Sequence, residues 1–193
     1  MLYHILYAFS AEYTWLNVFR YQTFRAMAAF LLTFLFVLFL QPMFIRWLQQ
    51  FGIKGQPIRD DGPKAHESKK GTPTMGGLVI VCAVVLATLL FCNLTDSVVW
   101  LTLAVMLGFA ALGFVDDWRK ITQQNSKGLS ERAKFGWQCL IALVAAGILL
   151  LIGFSTVLTV PFLKHFTPEL GWLFIPFVAL VVVATSNAVN LTD

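Results

Sequence analysis

The sequence has few charged residues and few cysteines. Only 12% of its 193 residues are Asp, Glu, Lys or Arg, whereas soluble globular proteins carry about 25%. This scarcity excludes an ordinary soluble domain, and the 58% content of hydrophobic residues excludes a disordered chain. The three cysteines lie in apolar stretches without paired spacing, so they indicate neither a disulfide framework nor a metal site.

Long runs without any charged residue dominate the sequence instead. Five such runs cover residues 26–45, 71–95, 97–115, 135–163 and 170–192. A helix needs about 20 apolar residues to cross the bilayer core, so each run is long enough for one crossing. The sequence therefore predicts an all-α polytopic integral membrane protein, with one membrane domain over residues 1–193. Its five predicted transmembrane helices cover residues 26–45, 75–94, 98–115, 135–154 and 170–189.

Residues 1–19 precede the first predicted span and are apolar and aromatic. They lack a basic leading segment, so we expect no cleaved signal peptide. Tyr, Trp and Phe are enriched at membrane surfaces, and this composition predicts an interfacial helix.

The distribution of basic residues predicts the orientation. If the spans alternate, eleven of the fourteen Lys and Arg residues fall in the loops after the first and third spans. The opposite side then holds only Arg20, Arg25 and Lys164. Because basic residues concentrate in cytoplasmic loops, we expect both loops in the cytoplasm and the N-terminus outside. These loops also explain the net charge of +4, so no nucleic-acid partner is expected.

None of the predicted spans carries an ionisable residue near its middle. Ion-coupled carriers and pumps usually place such residues at that depth. Half of a transporter or flippase is therefore the weaker alternative, and a non-catalytic membrane scaffold is another.

Three polar clusters lie at the predicted cytoplasmic ends of the spans, and the first is KKGTPTMGG at residues 69–77. Thr72 followed by Pro73 is typical of a helix start, because Thr caps an N–H group and Pro fits the first turn. Lys69 and Lys70 come directly before it, so the cluster predicts a phosphate site at a helix N-terminus. An ordinary helix cap with membrane-flanking lysines is the alternative.

The second cluster contains two adjacent carboxylates, Asp116 and Asp117, at the end of the third span. The helix dipole disfavours acidic groups at a C-terminus by about 0.3–1 kcal/mol each, and adjacent carboxylates repel each other. Their placement indicates a divalent cation or proton chemistry, and oxygen ligands at a phosphate site favour Mg²⁺. A solvated pair balanced by Arg119 and Lys120 is the alternative.

The third cluster, NAVNLTD, closes the fifth span at residues 187–193. Asn187 and Asn190 are three residues apart and share a helix face if the helix continues that far. Asp193 adds a carboxylate on the predicted side of Asp116 and Asp117.

Together, these clusters resemble those of a known enzyme family. The strings KKGTPTMGG, FVDDWRK and NAVNLTD, at residues 69–77, 114–120 and 187–193, resemble those of bacterial phospho-N-acetylmuramoyl-pentapeptide-transferases. These enzymes belong to the polyprenyl-phosphate N-acetylhexosamine-1-phosphate transferase family. The paired-aspartate motif is shared across that family, whereas the other two strings are more specific. A sister transferase that moves GlcNAc-1-phosphate is the alternative within the family.

The resemblance implies a function on the cytoplasmic face of the bacterial inner membrane. Phospho-N-acetylmuramoyl-pentapeptide would pass from UDP to undecaprenyl phosphate, giving lipid I and UMP in peptidoglycan synthesis, with Mg²⁺ as cofactor. The implied partners are UDP-MurNAc-pentapeptide, undecaprenyl phosphate and the lipid bilayer, and a homodimer is possible.

The resemblance also assigns residue roles. Asp116 would act on the lipid phosphate as a base or, in an older scheme, as a nucleophile. Further catalytic positions in the same polar site would be Asp117, Lys120, Lys134 and Asp193. The implied substrate-binding positions are Lys69, Lys70, Thr74, Asn187 and Asn190. Asp117 would also bind the metal, with the main ligand outside this chain.

The chain departs from the family in length. The family has ten spans, whereas five are predicted here, so the resemblance implies the N-terminal half of the enzyme. A later Asp in a Gly-rich motif and a histidine-rich loop would lie in the other half. We therefore expect the chain alone to be inactive.

Overall fold

The computed structural model describes residues 1–50, 75–123, 128–163 and 165–192, with backbone alone for 190–192. Six α-helices lie in these ranges: α1 Leu2–Ala8, α2 Gln22–Gln50, α3 Gly77–Phe91, α4 Ser97–Thr122, α5 Glu131–Leu151 and α6 Phe174–Thr192. Short 3₁₀ helices cover Phe9–Ala11, Thr14–Arg20 and Gly171–Leu173. No strand occurs within these ranges apart from the isolated bridge between Val157 and Glu169. The all-α class is confirmed.

Four helices of the described residues are long and apolar enough to cross a membrane: Gln22–Gln50, Ser97–Thr122, Glu131–Leu151 and Gly171–Val189. This supports a polytopic membrane protein. The remaining apolar helix, α3, has 15 residues. At 1.5 Å per residue it is shorter than a bilayer core of about 30 Å. Five crossings therefore stay a prediction.

The described structure divides into two compact units, Met1–Leu129 and Ser130–Asp193. In the first unit, α3 packs against α1, α2 and α4. Val79, Ala83 and Ala87 are buried and recur every four residues along α3. Small side chains at this spacing allow close approach of neighbouring helices, which is how membrane helices associate.

The N-terminal residues of the first unit form three short helical segments before α2. The Arg25 guanidinium lies 4.0 Å from the centre of the Tyr3 ring and donates to the Phe91 carbonyl at 3.2 Å. His4 Nε2 accepts from the Leu94 amide at 3.2 Å. These contacts hold the N-terminal segment against the C-terminal end of α3. Its exposed aromatic residues are Tyr7, Phe9, Tyr13, Trp15 and Tyr21.

The second unit is built on the packing of α5 against α6. Ala142 of α5 is fully buried against Ala179 and Val183 of α6. The chain between the helices is held by backbone bonds from Leu158 to Pro168 and from Leu170 to Thr156. Small residues again bring two helices together, which places their polar side chains within reach of each other.

Candidate active site

The acidic pair lies inside α4 and not at its end. The helix runs from Ser97 to Thr122, so Asp116 and Asp117 lie before the last turn, which contains Arg119 and Lys120. The prediction that the carboxylates meet the helix C-terminus is wrong. Basic residues in a last turn interact favourably with the helix dipole, and this explains why the helix continues past the pair.

Lys120 binds both carboxylates. Its Nζ lies 2.8 Å from Asp116 Oδ2 and 3.7 Å from Asp117 Oδ1. These spacings, i to i+4 and i to i+3, put the three side chains on one helix face. The second predicted cluster is thus a charged group in which one ammonium serves two carboxylates. Arg119, which the solvated alternative paired with them, is exposed.

Asp116 is the buried member of this group, with 7% of its surface exposed. Its Oδ1 accepts a hydrogen bond from the Leu129 amide at 2.8 Å, and its Oδ2 pairs with Lys120. Both oxygens are therefore engaged, as a buried carboxylate requires. The Asp117 side chain is 27% exposed and is the more accessible carboxylate. The fully solvated alternative is wrong for Asp116.

The start of α3 also differs from the prediction. The helix begins at Gly77, and Met75 has φ of 72°. An α-helix does not accommodate this left-handed conformation, so α3 begins after Met75. The predicted helix start at Thr72-Pro73 lies outside the described residues. A Cβ atom on Gly76 would lie 2.7 Å from Gln41 Nε2, so α2 approaches this turn closely. Local capping signals carry no information about that approach.

In the second unit, α5 presents Lys134 in its first turn and Gln138 one turn later. Ser130 caps the helix by accepting from the Ala133 amide at 3.3 Å. Gln138 is 3% exposed, and sequence reasoning missed it. The available signal was a single amide in the apolar run 135–163, since polar residues inside apolar spans are usually paired.

Asn187 is the partner of Gln138. Its Nδ2 donates to Gln138 Oε1 at 2.8 Å and to the Val183 carbonyl at 2.8 Å. The amide thus joins α6 to α5. Because α6 continues to Thr192, positions 187 and 190 both lie in the helix, as the predicted spacing required.

Several predicted site residues lie outside the part of the chain that the structure describes. These are Lys69, Lys70, Thr74 and Asp193, together with the side chain of Asn190. Among the described residues, no group of three or more His, Cys, Asp or Glu is arranged to hold a metal ion. The described parts of the predicted site are therefore the Asp116–Asp117–Lys120 group in the first unit, and Lys134 and Asn187 in the second.

Comparison with known proteins defines the class. The model of glycosyl transferase family 4 matches residues 98–193, which include α4, α5 and α6. Residues 69–81 match signature 1 of phospho-N-acetylmuramoyl-pentapeptide-transferase. The chain belongs to glycosyl transferase family 4, and this supports a transferase embedded in the membrane through several helices.

Named relatives narrow the class further. The chain is 50% identical over 195 residues to the phospho-N-acetylmuramoyl-pentapeptide-transferase of Geobacter sp. (strain M21), covering 100% of this chain and 54% of the relative. The transferase of Citrifermentans bemidjiense is also 50% identical, and that of Maridesulfovibrio salexigens is 48% identical, each with the same coverage. The chain therefore spans about half the length of the curated relatives it matches, and the predicted family is confirmed.

Proposed function

We propose that this chain is half of a transferase that moves phospho-N-acetylmuramoyl-pentapeptide from UDP to undecaprenyl phosphate. The products are lipid I, a precursor in peptidoglycan synthesis, and UMP. The observation that carries the proposal is the group formed by Asp116, Asp117 and Lys120 within the matched residues 98–193. The names of the relatives supply the substrate.

The reaction forms one phosphorus–oxygen bond and breaks another. An oxygen of undecaprenyl phosphate attacks the β-phosphorus of the UDP substrate, and the bonding electrons of the pyrophosphate bridge leave with UMP. Asp116 acts as the base that takes a proton from the lipid phosphate and later releases it to water. Lys120, held between the carboxylates, offsets negative charge on the phosphates. Phosphoryl transfer depends mainly on such positioning and electrostatic stabilisation.

Magnesium fits the donor chemistry of Asp117. Mg²⁺ prefers oxygen ligands, and it commonly binds through one or two carboxylates together with substrate phosphates. Asp117 is the more exposed carboxylate, and its contact with Lys120 is the longer one, at 3.7 Å. When bound, the ion supplies charge neutralisation at the substrate phosphates.

The remaining roles follow the family resemblance. We assign Lys134 and Asp193 to catalysis, and Lys69, Lys70, Thr74 and Asn190 to substrate binding. For Asn187, the NH₂ group already donates to Gln138 and to the Val183 carbonyl. We therefore assign its carbonyl oxygen, which can only accept a hydrogen bond, to the substrate.

We further propose that the protein lies in the bacterial inner membrane and that the C-terminal end of α4 is on its cytoplasmic side. Thr95 and Gln123 flank α4 and are exposed. In a background without Cys82, Cys92 and Cys139, Thr95→Cys should react with an impermeant thiol reagent in intact cells. Gln123→Cys should react only after the cells are opened. Labelling of Gln123→Cys from outside would overturn this orientation.

A chimaera tests the activity directly. Residues 1–193 replace the matching segment of the Geobacter sp. (strain M21) relative, to which they are 50% identical. With undecaprenyl phosphate and Mg²⁺, its membranes should release UMP from UDP-MurNAc-pentapeptide and not from UDP-GlcNAc. The 193-residue chain alone should release none. No release by the chimaera, a preference for UDP-GlcNAc, or turnover by the chain alone would overturn the proposal.

A further inference from the structure

The turn formed by Gly128 and Leu129 closes directly over the Asp116 carboxylate. The Leu129 amide donates to Asp116 Oδ1 at 2.8 Å. Gly128 has φ of 45°, in the left-handed region where side chains are disfavoured. The turn therefore contributes a hydrogen-bond donor at one position and a glycine at the other.

Space as well as backbone conformation requires glycine at position 128. A Cβ atom built there would overlap Asp116 Oδ1 and lie 2.8 Å from Lys120 Cε. Neither side chain can yield freely, because the Lys120 ammonium and Asp116 Oδ2 are joined by an ion pair of 2.8 Å. A methyl group at position 128 would therefore have to displace the Lys120 side chain or the buried Asp116 carboxylate.

Each oxygen of Asp116 is thus held by a different partner. Leu129 holds Oδ1 and Lys120 holds Oδ2, so the plane of the carboxylate has a defined orientation. Hydrogen bonds from backbone amides to charged carboxylates are stronger than those to neutral acceptors. Because Lys120 also contacts Asp117, a displaced Asp116 would move the ammonium relative to both carboxylates.

We propose that Gly128 and Leu129 are positioning residues of the transferase: the Leu129 amide orients the Asp116 carboxylate, and the absence of a side chain at Gly128 keeps its place open. This inference rests on the proposed function for its catalytic consequence. The contact itself is a property of the 193-residue chain and is testable without turnover.

Amide hydrogen exchange of the chain in detergent micelles tests the contact. Gly128→Ala should increase exchange of the Leu129 amide by about tenfold or more, and so should Asp116→Ala, which removes the acceptor. Exchange in the α4 amides should stay unchanged. Gly171→Ala is the matched control, since Gly171 has φ of 51° and nothing within 4 Å of an added Cβ. Unchanged Leu129 exchange in both Gly128→Ala and Asp116→Ala would overturn the proposal.

Kinetics of the chimaera test the catalytic consequence. Gly128→Ala should lower kcat about tenfold or more per folded molecule, since small misplacements of catalytic groups are costly. KM for UDP-MurNAc-pentapeptide should stay within about twofold, because Asp116 is assigned to the lipid phosphate. Leu129→Pro, which replaces the amide hydrogen facing Asp116 Oδ1 by a ring carbon and leaves Gly128 unchanged, should act in the same direction. Gly171→Ala should retain both constants.

The outcomes separate the two proposals. Faster Leu129 exchange with an unchanged kcat would overturn the positioning role while leaving the proposed function intact. A chimaera without any UMP release would overturn the proposed function, and the exchange experiment would then decide alone whether the turn holds Asp116. A lower yield of folded Gly128→Ala protein with an unchanged kcat per folded molecule would likewise overturn the positioning role.

Discussion

The acidic pair in the first unit and the amide pair in the second are both polar contacts on apolar helices, but they differ in charge and in sequence distance. Asp116 and Lys120 are four residues apart on one helix. Gln138 and Asn187 are 49 residues apart and join two helices. The first contact follows from helix geometry, whereas the second exists only because α5 packs against α6.

Charge separates the two contacts as clearly as distance does. The carboxylates and the lysine lie in the last two turns of α4, where Asp117 remains partly exposed. Gln138 is almost fully buried, and a neutral amide pair tolerates that position because its hydrogen bonds are made. A charged group near a helix end can meet ionic substrates, and a buried neutral pair is suited to holding helices together.

The largest expected effect is on turnover, when charge is removed from the acidic pair. In the chimaera, Asp116→Asn or Asp117→Asn should lower UMP release by about 10²-fold or more, as expected for lost acid–base or electrostatic stabilisation. Both proteins should still insert in the membrane, since Asn keeps the size and removes the charge.

Asp96→Asn is the matched control at the other end of the same helix. Asp96 caps α4 by accepting from the Val98 amide at 2.9 Å, and Asn caps equally well. Its turnover should equal that of the parent chimaera. Full turnover with Asp116→Asn and Asp117→Asn would reduce the acidic pair to a structural contact and remove its difference from the amide pair.

A smaller effect, on stability, should follow from removing the shared lysine. Lys120→Met leaves the buried Asp116 carboxylate without its ammonium partner. We expect the free energy of unfolding to fall by about 2–3 kcal/mol, between the values for exposed and fully buried ion pairs. Unfolding of the 193-residue chain by SDS in mixed micelles measures it.

Arg119→Met serves as the control for that measurement. Arg119 lies in the same helix turn and is exposed, so its replacement should change the free energy of unfolding by no more than about 0.5 kcal/mol. Equal losses for Lys120→Met and Arg119→Met would show that the ion pair contributes no specific stability.

Sequence reasoning could predict much of the fold because hydrophobic runs alone indicate helices in a membrane. The all-α class followed from such runs, and so did the position of Asp116 and Asp117 directly after the apolar stretch of a long helix. Lys120 was placed with the carboxylates both by the charge-balanced alternative and by the resemblance, and its i+3 and i+4 spacing gives the physical reason. The extension of α4 to Thr122 was missed because the prediction ended the span where charged residues began.

Other features depend on contacts between distant parts of the chain, which one sequence does not specify. The Gln138–Asn187 bond requires the register of α5 against α6. The Leu129 amide reaches Asp116 across 13 residues, and α2 approaches closely the turn at Gly76 that precedes α3. In each case the tertiary contact determines the result, and local propensity contributes little.

The smallest expected effect is the coupling energy between Gln138 and Asn187. Measuring it shows how much the neutral amide pair contributes to stability, for comparison with the charged group on α4. Replacing both by Leu, singly and together, gives a double-mutant cycle for unfolding in mixed micelles. Side-chain hydrogen bonds between membrane helices contribute about 0.6 kcal/mol on average and up to about 1.7 kcal/mol. The coupling energy between Gln138 and Asn187 should fall in that range. A control cycle that combines Thr185→Val with Gln138→Leu should show no coupling energy, because the Thr185 hydroxyl donates to the Val181 carbonyl of its own helix.

The same variants separate a structural from a substrate-binding role for Asn187. If its carbonyl oxygen contacts the nucleotide substrate, Asn187→Leu should raise KM for UDP-MurNAc-pentapeptide in the chimaera, both alone and with Gln138→Leu. Gln138→Leu alone keeps that oxygen and should leave KM within about twofold, because the Val183 carbonyl still holds the Asn187 amide. Equal KM values for all three would limit Asn187 to joining α5 and α6, and the amide pair would then be structural throughout.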